Sequence, residues 1–151
     1  MEIDKSQAVA IAAFSRFDDD VHDPVLRAVS AAYCLVACAD GELEASEIAE
    51  YVRVAQADAR FERLDNAKLE HALRSFAEAL QTDVVAGRAR ALEMVRLAAQ
   101  DGEDSATCTL LLDVAKLAMQ ANHKVSKGEV AALRSLCAAL GVNPREHLPE
   151  D

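Results

Sequence analysis

A chain of 151 residues is long enough to close one hydrophobic core without disulfides or a structural metal. Apolar residues make up 52% of it but aromatics only 4%, which suits closely packed helices and suits a sheet poorly. Sixteen basic against 26 acidic residues leave a net charge of -10, which makes phosphate backbones and bare anionic membranes poor partners and cations or basic protein surfaces better ones.

The first residues lack a basic leader and a full apolar segment, so they do not read as a signal peptide. No run approaches the ~18 uninterrupted apolar residues of a spanning helix. Cys34, Cys38, Cys108 and Cys137 all lie in apolar runs. That placement predicts neutral, largely buried thiols in a reducing, cytoplasmic setting.

Apolar periodicity near 3.6 runs almost end to end and predicts an all-α fold of about seven helices. A short helix over 6–16 leads into the acidic link Asp18-Asp19-Asp20. Asp23-Pro24 opens the second helix, with a carboxylate to cap free amides and a proline that loses no hydrogen bond in the first turn. Leu26, Val29, Tyr33 and Val36 form its inner stripe, which extends to Asp40-Gly41. The third helix covers roughly 46–58. Asp65 caps a fourth over 66–80, and Thr82 opens a fifth that ends at Asp101-Gly102.

Asp104 or Ser105 starts the sixth helix. The seventh begins at Ser126 with Glu129 three residues on, a capping box, and stops at Gly141 in a left-handed terminus. Asn143-Pro144-Arg145-Glu146 adds one further turn. No low-complexity linker divides the chain. Residues 1–24 are expected to be an N-terminal helix and acidic link packed on a helical domain of residues 25–151.

An internal repeat is the most informative feature. Residues 31–47, AAYCLVACADGELEASE, align without a gap on 113–129, DVAKLAMQANHKVSKGE. Each unit is a helix, a short loop and a second helix with a glutamate in its first turn, Glu47 or Glu129. Asp40 falls on Asn122 and Gly41 on His123. Two pseudo-symmetric helix–loop–helix halves sharing one core follow from it.

In the first half, the loop brings Asp40 and Glu47 toward one corner, with Glu42 and Glu44 between them. Acids sharing a corner repel unless a cation or protons intervene, and hard divalent ions take such oxygen ligands. The spacing is not that of an EF-hand loop, because the glycine stands at position two and the glutamate at eight. Capping and the helix dipole explain the same acids without an ion, Glu129 through its box with Ser126. Both readings stand on the sequence.

The remaining polar candidates read as structural. His71 and His123 lack partners at metal spacing, and Cys34 and Cys38 share a helical face without a second pair. The DGEDS stretch at 101–105 lacks the lysine of a phosphate loop. No local motif joins a nucleophile or general base to the acids, so no enzyme is expected. Gly87 interrupts the fifth helix, either for close packing or only to loosen it.

The stretch VACADGELEASE and the second unit KLAMQANHKVSKGEVAALRSLCAALGVNP resemble the TerB-like family, the tellurite-resistance domain also found beside J-domains in membrane co-chaperones. The resemblance covers about residues 25–147. The first copy of the family motif is intact as Ala39, Asp40, Gly41 and Glu47. The second keeps Glu129 and the Leu140-Gly141-Val142 ending but has Asn122 and His123 where the family usually has Asp-Gly.

The resemblance implies a compact bundle with acids of both halves facing a common region. It implies a divalent cation, calcium in particular, at Asp40, Glu47, Glu129 and Asn122, with Asp101 loosely near a further family acid. It also implies a cytoplasmic stress-response module acting with protein partners, membrane-associated ones included, without inserting in the membrane or binding nucleic acid. Asn122 offers an oxygen but no charge, which weakens the second half as a cation ligand. The alternative is a ligand-free structural or oligomerising helical domain.

Overall fold

The computed structural model describes residues 5–39, 41–102, 105–120 and 126–147. The described residues form seven helices: α1 (Lys5–Asp20), α2 (Pro24–Ala37), α3 (Ala45–Ala57), α4 (Asn66–Thr82), α5 (Val84–Gly102), α6 (Ser105–Gln120) and α7 (Lys127–Leu140). Short 3₁₀ turns follow α3 at Ala59–Phe61 and α7 at Pro144–Glu146. No strand occurs among the described residues. No helix among them is long and apolar enough to cross a membrane.

The helix starts obey local capping chemistry. The Asp23 carboxylate accepts the Val25 and Leu26 amides, the latter at 3.2 Å, ahead of Pro24. Asp65 accepts the Lys68 amide at 2.8 Å, and Ser126 accepts that of Glu129 at 3.0 Å. At the other end of α7, Gly141 takes φ +73°, the left-handed conformation in which a side chain would be strained.

Helix α2 forms the axis of the bundle. Every residue from Ala28 to Ala37 is buried, and the helix packs against α4, α5, α6 and α7. The first helices of the two repeats, α2 and α6, make the most extensive pairing. Each repeat's second helix then crosses to the other repeat's first: α3 packs on α6, and α7 on α2. The two units share one core, as the repeat leads one to expect, and the crossing carries the first turns of α3 and α7 toward one another.

Three expectations about helix boundaries are corrected. The run Asp18-Asp19-Asp20 is the last turn of α1, not a link. Acids oppose the dipole at a helix C-terminus, but here the Arg90 guanidinium lies 2.6 Å from Asp18, and Arg27 reaches the Asp18 carbonyl at 2.6 Å and also the Val21 carbonyl. Phe17, fully buried against Phe76, holds the turn in the core. Second, α2 ends at Ala37, three residues before Asp40, because the Ala39 amide tightens back onto the Val36 carbonyl. Third, Thr82 closes α4 through its hydroxyl on the Ala79 carbonyl, and Asp83 caps α5 by accepting the Ala86 amide.

Gly87 is a close-packing position. A Cβ there would lie 2.4 Å from Leu80 Cδ1 and 3.0 Å from the Leu80 Cα. The leucine tip can rotate away, but the backbone atom cannot. Gly87→Ala gains ~0.5–1 kcal/mol of helix entropy and meets ~1–3 kcal/mol of overpacking. A net loss of about 1 kcal/mol is expected from urea denaturation, and a gain would show that α4 and α5 have room to part.

Candidate functional site

The crossing of the repeats produces a buried acidic pair. Glu47, in the first turn of α3, is 1% exposed, and Glu129, in the first turn of α7, is 2% exposed. Each uses one carboxylate oxygen on the start of its own helix. Glu47 Oε1 accepts the Glu44 amide at 2.9 Å, and Glu129 Oε1 accepts the Ser126 amide at 3.3 Å. Glu47 Oε2 is buried and has no hydrogen-bond partner among the described residues.

Burial pushes the Glu47 carboxyl above its ordinary range, and the Glu44 amide bond pulls it partly back. The negative charges of Glu44 and Glu129 add to the upward push. Glu129 therefore lies close enough for its charge to reach Glu47. Asp40 and Asn122, the other two expected ligands, lie outside the described residues, as does His123. The side chain of Asp101 is outside them as well. Among the described residues, no group of three or more His, Cys, Asp or Glu side chains could hold a metal ion.

Two tyrosines tie the start of α3 to α2. Tyr33 of α2 donates its hydroxyl to the Glu47 carbonyl at 2.7 Å, and the Tyr51 hydroxyl of α3 meets Ser30 Oγ at 2.8 Å. All three side chains are fully buried, and the two rings lie 5.2 Å apart. Burial raises both phenols far above their ordinary value, so they are neutral donors. Tyr33 was legible as a stripe residue, but its hold on the α3 backbone was not. Ser30, a lone hydroxyl inside an apolar run, was the available signal.

The thiols divide. Cys34 and Cys137 are buried and burial raises both, as expected. Cys38, at the C-terminus of α2, is only half-buried, and a hydrogen bond from Cys34 lowers it. Cys108 is also half-buried. His71 pairs with Asp20 at 3.0 Å on the rim of a cavity of about 550 Å³ between the α1–α2 link and the start of α4. The described residues that line that cavity include neither Glu47 nor Glu129.

No protein-family model, curated protein or solved structure matches the chain.

Proposed function

We propose that the chain is a non-catalytic helical scaffold of the TerB-like kind, which works through its surface and holds no resident ligand. One observation carries this reading: both buried glutamates are engaged as reciprocal caps of their own helices, at 2.9 and 3.3 Å. Capping gives each acid a structural reason to be where it is. Calorimetric titration of calcium and of magnesium into the protein should give no binding heat. Heat saturating at one ion per chain would overturn the reading.

A second reading is favoured by the remaining oxygen of Glu47, which is buried without a partner among the described residues and feels the Glu129 charge. A divalent cation would relieve that repulsion and accept those oxygens. Glu47 and Glu129 would hold it, with Asp40 and Asn122 completing the set that the resemblance implies. On this reading the domain is the cation-responsive, cytoplasmic stress module that the TerB-like resemblance implies, and its stability rises with calcium.

A further inference from the structure

The outer faces of α5 and α7 form a groove whose composition differs from that of the rest of this acidic surface. Two cavities, of about 190 and 490 Å³, run along it and share Leu92 and Ser135 in their walls. On α5 the wall is Arg88, Leu92 and Arg96, at i, i+4 and i+8, so they stand on one face. On α7 it is Gly128, Ala131, Ser135 and Ala138, a surface that lets another backbone come close. Among the described residues, those that line the two cavities include no carboxylate.

The charge pattern selects the occupant. The chain carries a net charge of -10, and Arg16, Arg27, Arg53, Arg74 and Arg90 all reach carboxylates of their own chain. Arg88 and Arg96 make no such pair among the described residues, and both stand exposed. Eight residues of helix separate them by about 12 Å along α5. A docked helix matches that interval with carboxylates seven or eight residues apart. A long polyanion or an anionic membrane would meet the repulsion of the whole acidic surface. A short helix meets only the groove.

We propose that the α5–α7 groove docks an acidic amphipathic helix of a partner protein, with Arg88 and Arg96 holding its carboxylates and its small apolar face lying on α7. This rests on the scaffold reading and names the surface through which that scaffold works.

The test uses the full chain and a fluorescent 16-residue Leu/Ala/Glu amphipathic peptide as probe, followed by anisotropy in chelator and again in calcium. Its twin carries Lys in place of Glu. The Glu peptide should bind wild type, and the Arg88→Glu/Arg96→Glu variant should weaken it about tenfold or more while coming to prefer the Lys peptide. Ser135→Trp, which fills the groove and keeps both arginines, should weaken the Glu peptide to a similar degree. Circular dichroism melts establish that the exposed substitutions leave the fold intact.

Equal binding of the two peptides to wild type overturns the proposal, as does indifference to Ser135→Trp. Retention by phosphatidylserine vesicles in place of the peptide overturns it too. Concentration-dependent dimerisation that the arginine variant abolishes would make a second copy the occupant and overturn the partner helix. Binding of the Glu peptide only in calcium supports the groove but overturns the ligand-free scaffold, so the two failures are distinguishable.

Discussion

Phe76→Ala should destabilise the protein by ~3–5 kcal/mol, the range for removing a buried aromatic ring. Phe76 is fully buried on α4 and meets the edges of two rings of α1, Phe17 at 5.2 Å and Phe14 at 6.3 Å. The substitution therefore removes transfer energy, opens a cavity and ends two edge-to-face contacts. For a chain of this size the midpoint of thermal unfolding should fall by on the order of 10 °C. The transition should also stay single. A loss below ~1 kcal/mol, or melting of α1 alone ahead of the rest, would show that residues 1–24 are an appendage and not part of the bundle.

The double variant Tyr33→Phe/Tyr51→Phe should cost about 1–3 kcal/mol, with the rings and their packing retained. Tyr33 ties α2 to the α3 backbone at Glu47, and Tyr51 ties α3 to Ser30 on α2. Each lost hydroxyl removes a net contribution of ~0.5–1.5 kcal/mol, and Ser30 is left in the core without its partner. Hydrogen exchange at the first turn of α3 should rise more than exchange in α6. Uniform change across the chain would mean that the tyrosines act through global stability and do not position Glu47.

The legible parts of this fold are those written in a few adjacent residues. Asp23-Pro24, Asp65, the Ser126/Glu129 box and Gly141 each act within one helical turn, and the helices begin and end at them. The Asp18–Asp20 turn was hidden because its compensation comes from Arg90, 72 residues away. Capping was open to Glu47 in the sequence, but its partner was hidden for a different reason: the N-cap is Glu44 and not a serine or threonine. The repeat did anticipate that the first turns of α3 and α7 would be related. It could not show that α3 crosses to α6 and α7 to α2, the packing that brings Glu47 and Glu129 within electrostatic reach.

Thermal melts of wild type and Glu47→Gln, from acid to neutral pH and in chelator or millimolar calcium, test most directly whether the buried pair is a cap or an ion site. The folded Glu47 carboxyl titrates above its ordinary value, so its favourable contribution is complete below that ordinary value and is lost as pH rises through the folded one. Glutamine keeps an oxygen for the Glu44 amide and never ionises. Glu47→Gln should therefore melt at or above wild type at neutral pH, with the difference narrowing as the solution is acidified below the ordinary glutamate range. Neither protein should respond to calcium. A calcium-dependent rise in the wild-type midpoint that Glu47→Gln lacks would contradict this account and make the glutamate pair part of a cation site.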